Sequence, residues 1–246
     1  MTALVLQARL DSTRLPGKSM LPLGGRPLIF RVMEAFAFSP WEKILACPED
    51  CASSFAPLAQ EAGFSIVTGP KEDVLERYCL AVRHTGADWI VRTTGDNPFV
   101  FADAALALHR EAQSVGADYA AYGGLPLGAG VEVIASDALL RAGREAASVF
   151  EREHVCPYLY GHDELFRLHC PPAPAAWQGL DLRLTVDTRE DYERAQALFG
   201  LLLTLPPEGR NLGENIISAF KDMLTNDAAS GKTQGSTLGG TQGETP

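Results

Sequence analysis

The sequence predicts an α/β fold with a mostly parallel sheet, and three observations carry that expectation. Apolar, β-rich runs alternate with longer segments of helical period, the pattern of successive βα units. The 246 residues are 46% hydrophobic and 21% charged, the balance of a globular chain that buries a substantial core without staples. One apolar run, 89–92, leads straight into Thr93-Thr94-Gly95-Asp96-Asn97-Pro98, where Gly, Asn and Pro stop a strand. The resulting loop lies at a strand's carboxyl end, where open α/β sheets place their ligands.

The elements follow in order. Residues 3–7 read as the first strand, and 27–38 as the helix after its loop. Short strands at 43–46 and 65–67 flank a helix near 52–62, and a helix at 74–84 precedes the strand at 89–92. The second half is less regular, with strands at 118–121, 131–134, 166–170 and 182–186 and helices at 136–147 and 151–160. Asp187-Thr188 offers a capping side chain and Glu190-Asp191 places acid in the first turn of a long helix beginning near Arg189. A shorter helix around 214–224 closes the fold. The working domain is therefore expected to span 1–225. Residues 226–246 are rich in Gly, Thr, Ser and Gln, lack aromatics, and are expected to form a disordered tail.

Charge narrows the function classes. With 21 Lys+Arg against 31 Asp+Glu the net charge is −10, which argues against a general nucleic-acid-binding or anionic-membrane surface. The longest apolar stretch, around 198–205, is far short of a bilayer span, and no basic region precedes the apolar N-terminal run. The five cysteines contain no Cys-x-x-Cys pair, which favours reduced thiols and a cytoplasmic location. An anionic substrate would need cations gathered locally.

One loop supplies them. Arg9, Arg14 and Lys18 put three cations after the first strand, and Pro16-Gly17 forces a turn that lets backbone amides face a phosphate. Residues 12–19 come close to the G-x-x-x-x-G-K-[ST] phosphate loop, with Ser12 where its first Gly belongs. The missing Gly, and the Pro22 and Gly24-Gly25 that interrupt any helix starting at Lys18, count against that NTPase reading.

The wider stretch, Gln7-Ala8-Arg9-Leu10-Asp11-Ser12-Thr13-Arg14-Leu15-Pro16-Gly17-Lys18 followed by Leu21-Pro22-Leu23-Gly24-Gly25-Arg26-Pro27-Leu28, resembles the signature loop of the cytidylyltransferases. These enzymes make CMP-activated sugar acids such as CMP-KDO and CMP-sialic acid. The similarity is closest to the branch named for the spore coat polysaccharide biosynthesis protein SpsF, and it extends to about Leu203. It implies a three-layer α/β/α, Rossmann-like nucleotide-diphospho-sugar transferase fold.

Three further segments carry the resemblance. Gly69-Pro70-Lys71-Glu72-Asp73-Val74-Leu75-Glu76-Arg77-Tyr78 looks like the family segment beside the nucleotide's base and ribose, and Asp73 also suits a helix cap. Val91-Arg92-Thr93-Thr94-Gly95-Asp96-Asn97-Pro98 is similar to the motif whose Asp holds a divalent cation, although a lone Asp in such a turn is often only a turn residue. Leu182-Arg183-Leu184-Thr185-Val186-Asp187 resembles the late motif that completes the metal site, and in isolation Asp187 reads equally as an N-cap. Each Asp ends an apolar run, so one sheet edge could bring the two together.

The resemblance implies nucleotide contacts from Gln7, Ala8, Arg9, Ser12, Arg14, Gly17, Lys18, Gly69, Asp73, Arg77 and Thr94. It implies Mg²⁺ or another divalent cation on Asp96 and Asp187, with Arg14, Lys18 and Asp96 catalytic. Glu132, Glu153 and His154 are the polar candidates for the acceptor side, His154 being equally a structural histidine. The implied reaction is attack of a sugar-acid hydroxyl on the α-phosphate of CTP with release of pyrophosphate, in a homodimer serving surface polysaccharide or glycoconjugate synthesis. Two departures stand out: Cys47 replaces a hydroxyl expected near the nucleotide, and Thr94 and Asn97 replace the Gln and Glu of the KDO enzymes, arguing against KDO as the sugar. A sugar-nucleotide glycosyltransferase is the alternative enzyme, disfavoured because the chain has no Asp-x-Asp. A catalytically silent nucleotide-binding protein could dispense with either carboxylate, yet both are present.

Overall fold

The computed structural model describes residues 1–229; of the tail expected at 226–246, residues 230–246 lie outside the described residues. The first strand, β1 (Thr2–Gln7), pairs in parallel with β4 (Glu42–Pro48) on one side and β6 (Trp89–Thr94) on the other. β5 (Ser65–Gly69) extends the parallel set beyond β4. On the other flank β8 (Glu132–Ala135) runs antiparallel to β6 and to β7 (Tyr119–Ala120), and β9 (Leu168–His169) pairs in parallel with β7. The order β5-β4-β1-β6-β8-β7-β9 reverses at β1: the chain steps outward to β4 and β5, then returns to β1's other side at β6. The crevice between the carboxyl ends of β1 and β6 is thus a topological switch point.

The sheet is buried on both faces, as the continuous apolar runs in its strands require. Leu4 and Leu6 of β1 point into one cluster with Ile29 and Met33 of α1 (Leu28–Ala35), Phe55 of α2 (Ala52–Ala62) and Leu108 of α4 (Ala102–Val115). Ala3 and Val5 point the other way, onto Leu75 and Tyr78 of α3 (Val74–Thr85) and Leu139 of α5 (Ser136–Glu145). That alternation makes three layers, α/β/α. A third cluster joins α8 (Arg189–Leu202) and α9 (Gly213–Ala229) to Leu23 in a small hairpin of β2 (Pro22–Leu23) and β3 (Arg26–Pro27). No helix among the described residues is long and apolar enough to cross a membrane.

Several boundaries differ from the sequence expectation, each for a physical reason. The helix expected at 151–160 is two short helices, α6 (Val149–His154) and α7 (Pro157–Tyr160), broken where Val155 adopts φ 74 and Cys156 N–H reaches back to the His154 carbonyl at 2.9 Å. Such a turn is strained for a β-branched residue. The strand expected at 182–186 is an extended segment with a single bridge, Leu127 to Arg183, rather than a sheet member. The first helix is shorter than 27–38, because the hairpin takes Pro27 and the helix ends at Ala35. α4 was not anticipated, and α9 continues past the expected Asn226 boundary to Ala229.

Candidate active site

The loop after β1 and the loop after β6 meet over the switch point. Gly95 N–H donates to the Gln7 carbonyl at 2.9 Å, which fastens the two strand ends together. The β1 loop does not wind into a helix at Lys18. Gly17 takes φ 66, a left-handed conformation that suits glycine, and only a 3₁₀ turn (Lys18–Met20) follows before the β2–β3 hairpin. Ser19 Oγ donates to the Arg9 carbonyl at 2.9 Å and closes the loop on itself. The phosphate-loop likeness therefore does not extend to its helix.

Between these loops lies a cavity of ≈ 360 Å³. Its lining includes Gln7, Ala8, Arg9, Ser12, Arg14, Lys18, Arg77, Thr94, Asp96 and Asp187, together with Glu153 and His154 from α6. Five cationic side chains (Arg9, Arg14, Lys18, Arg77, Arg92) face it against four carboxylates (Asp11, Asp96, Glu153, Asp187), so a chain of net charge −10 has a locally basic pocket.

At one end of the cavity the carboxylates converge. Lys18 Nζ donates to Asp96 Oδ2 at 2.8 Å, Asp187 Oδ1 at 2.9 Å and the Val186 carbonyl at 3.1 Å. Val186 N–H donates to the Asp96 carbonyl at 2.9 Å, so a backbone contact rather than a strand pairing places Asp187 beside Asp96. Arg14 reaches Asp187 Oδ1 at 3.1 Å and Arg183 reaches its Oδ2 at 2.9 Å. Burial alone would raise the Asp96 pKa, but Lys18 and the Thr94 hydroxyl hold it below the ordinary carboxylate value. Asp187 is not the helix cap: Thr188 caps α8, its hydroxyl accepting from Asp191 N–H at 3.2 Å while Asp191 accepts from Thr188 N–H at 3.1 Å. Asp187 is left free to face the cavity.

These two carboxylates fit a divalent cation. They approach one nitrogen at 2.8 and 2.9 Å, so their oxygens already share a focus. No group of three or more candidate ligands exists among the described residues. Asp96 and Asp187 are the residues that could hold Mg²⁺, an ion that takes one or two carboxylates and completes its shell with phosphate oxygens and water.

Four predicted site residues lie off the cavity lining. Gly17 borders an adjoining depression with Arg9, Ser12 and Pro16. Gly69 faces a separate surface hollow with Pro48, Asp50 and Lys71; its role is to make room, since a Cβ there would stand 2.9 Å from Arg77 Cγ. Asp73 is occupied as the α3 cap, accepting from Glu76 N–H at 2.9 Å and from Arg152 Nε at 2.9 Å. Glu132 faces a second cleft of ≈ 310 Å³ that shares Arg92 and Thr94 with the first and is otherwise lined by Asn97, Tyr119, Tyr122 and 125–128. Cys47 is fully buried in β4 and absent from the cavity lining, and burial pushes its thiol up to about 11, so it is a neutral core group.

Arg92, not among the site residues expected from the sequence, stands in the wall common to both cavities. It pairs with Glu132, its partner across the β6–β8 ladder, and donates to Gln7 Oε1 at 3.1 Å. Tyr119 donates to the other Glu132 oxygen at 2.8 Å. Burial would lower the Arg92 pKa, yet Glu132 outweighs it and the guanidinium stays charged. A cation in the middle of an otherwise apolar strand was the available signal. Asp11, Thr13, Ser19, Val74 and Gly95 also line the first cavity and were not singled out.

Comparison with known proteins gives the family and the fold. The family model for cytidylyltransferases matches residues 3–214. The chain is 33% identical over 203 residues to the spore coat polysaccharide biosynthesis protein SpsF of Bacillus subtilis, covering 79% of this chain and 85% of the relative. Among solved structures, a cytidylyltransferase from Leptospira borgpetersenii superposes with a TM-score of 0.81 at 25% identity, covering 92% of this chain and 95% of that one. A CMP:2-keto-3-deoxy-manno-octonic acid synthetase complexed with CTP shares the fold, with a TM-score of 0.64 at 17% identity over 81% of this chain and 98% of that one. The fold and the matches define a nucleotidyltransferase. More narrowly, the chain belongs to the cytidylyltransferase family.

Proposed function

We propose that this chain transfers CMP from CTP to a hydroxyl of a sugar acid, releasing pyrophosphate, for surface polysaccharide or glycoconjugate synthesis. The observation that carries the proposal is the meeting of Arg14, Lys18, Asp96 and Asp187 at one end of a basic cavity over the switch point. Arg9 and Arg77 line the same cavity, and among the described residues neither pairs with a carboxylate. The charge of Arg9 is available to a triphosphate, while Arg77, buried and donating to the Pro70 and Lys71 carbonyls, backs the cavity wall.

The chemistry asked of the protein is positioning and charge neutralisation. The acceptor hydroxyl oxygen forms a bond to the α-phosphorus as the bond to the bridging α–β oxygen breaks; the hydroxyl proton passes to water and the pyrophosphate departs. Arg14 and Lys18 meet the negative charge that accumulates on the leaving group, and Arg9 completes the cradle. Asp96 and Asp187 would hold a divalent cation, which when bound supplies neutralisation of the α-phosphate and orientation of the attacking oxygen. The acceptor would enter from the second cleft, which joins the first at Thr94 and Arg92, with Glu153 and His154 in the lining of the first. No cysteine or histidine nucleophile is needed.

The test is pyrophosphate release with each nucleoside triphosphate, Mg²⁺ and a panel of nonulosonic and other sugar acids. CTP-dependent release that requires an acid from the panel is the expected result, and release that does not distinguish CTP from ATP would refute it. A homodimer belongs to the same proposal and is read by light scattering.

A further inference from the structure

We propose that Lys18 is the resident cation of the Asp96–Asp187 pair, and that a divalent metal gains this pair only when nucleotide phosphates draw Lys18 away. The inference rests on the reading of that pair as the metal site. An ammonium group has three N–H donors. All three are spent here: on Asp96 at 2.8 Å, on Asp187 at 2.9 Å and on the Val186 carbonyl at 3.1 Å. The Lys18 side chain is 15% exposed, so this arrangement lies within the wall of the cavity and not on its rim. A metal on the same two oxygens would need the same space.

Displacement without nucleotide is unfavourable on both sides of the exchange. Lys18 would lose its counter-charges in a pocket already holding Arg9, Arg14, Arg77 and Arg92. The metal would gain two carboxylates and find no third among the described residues. A triphosphate reverses both terms: it offers Lys18 anionic oxygens and gives the metal its missing ligands. Arg14 follows the same logic. Its side chain is 64% exposed and it borrows Asp187 at 3.1 Å, so it too can move to phosphate, while Arg183 remains on the far Asp187 oxygen at 2.9 Å. Metal and nucleotide thus bind with positive coupling, and each must raise the other's affinity by the same factor.

The decisive experiment measures Mn²⁺ binding to the nucleotide-free, full-length protein by electron paramagnetic resonance of the free ion. The wild type is expected to bind Mn²⁺ weakly, and Lys18→Met to bind it at least about tenfold tighter, because the pair is then without its cation. Asp187→Asn in the Lys18→Met background should abolish the gain. Lys18→Gln, which keeps hydrogen-bond donors without charge, gives the same reading should the Met variant fail to fold. Tight stoichiometric Mn²⁺ binding by the wild type without nucleotide overturns the proposal, as does equal binding by wild type and both Lys18 variants. The outcome is independent of turnover: absence of CTP-dependent pyrophosphate release would defeat the proposed function and leave the metal measurement standing.

Discussion

The two flanks of the sheet build their parts of the site in different ways. On the β5-β4-β1 side, the loop leaving β1 delivers its chemistry in one contiguous stretch. The loop after β1 alone carries Arg9, Arg14 and Lys18, and among the described residues Arg9 has no carboxylate partner. On the β8-β7-β9 side the strands are short and mixed in direction, and the polar groups arrive already paired: Arg92 with Glu132, and Tyr119 with Glu132. One flank gathers cations at the cavity; the other presents a surface whose charges are already neutralised. A polyanionic nucleotide suits the first, and a smaller acceptor suits the second.

The largest effect is expected at Asp96. Asp96→Asn should cut pyrophosphate release by about a thousandfold while CTP affinity falls by less than about tenfold, since the carboxylate's work lies in the transition state. Steady-state kinetics beside calorimetric titration of CTP separates the two. Wild-type turnover in that variant would remove Asp96 from the chemistry.

The next effect in size is on the opposite flank and concerns stability. Glu132→Ala leaves Arg92 buried without its carboxylate, and breaking a buried pair from one side costs roughly 3–5 kcal/mol. Urea denaturation measures this. A near-neutral result would mean that water already reaches Arg92, and the second flank would then be as open as the first.

A smaller effect is expected from pH. His109 lies among Trp41, Trp89 and Thr2 beneath the sheet; burial, then Arg110 and the N-terminus, lower its pKa from the ordinary 6.5. Its depressed folded value means the unfolded chain takes up a proton first. Its contribution to stability is thus complete above pH 6.5 and declines as pH falls below that, toward the folded pKa. Thermal melts of wild type and His109→Gln across this window should differ in slope. The smallest effect is from truncation: a chain ending at Ala229 should keep turnover within about twofold, because the buried α9 contacts at Ile216, Ile217 and Phe220 all precede it.

Much of the first flank was legible from residue patterns because its strands are continuous apolar runs and its loops contain their own punctuation. Asp73 and Thr188 could be read as caps for the same local reason, and both cap helices here. What escaped depended on distant partners. α4, rich in Ala and Leu and closed by Gly116 in a left-handed conformation, gives weak contrast against its apolar neighbours. Asp187 was expected at a strand's end and is instead set by the hydrogen bond from Val186 to the Asp96 carbonyl, which local periodicity does not encode. The break at Val155 needs φ 74 from a β-branched residue, a conformation no local preference would suggest. Arg92 could have been noticed as a lone charge in a buried strand, but its partner Glu132 lies 40 residues away. The basic loop after β1 is local chemistry, whereas the carboxylate pair and the wall around Arg92 and Glu132 are products of tertiary structure.

The proposed function requires the basic cavity over the switch point to be a CTP site. Calorimetric titration of the full-length protein with CTP, UTP, GTP and ATP in the presence of Mg²⁺ tests it most directly, with no need for the acceptor. The account predicts CTP binding preferred over ATP by at least about tenfold, since groups that hydrogen-bond a base discriminate strongly against one that leaves them unpaired. Equal affinity for ATP and CTP, or no binding of any triphosphate, would contradict it.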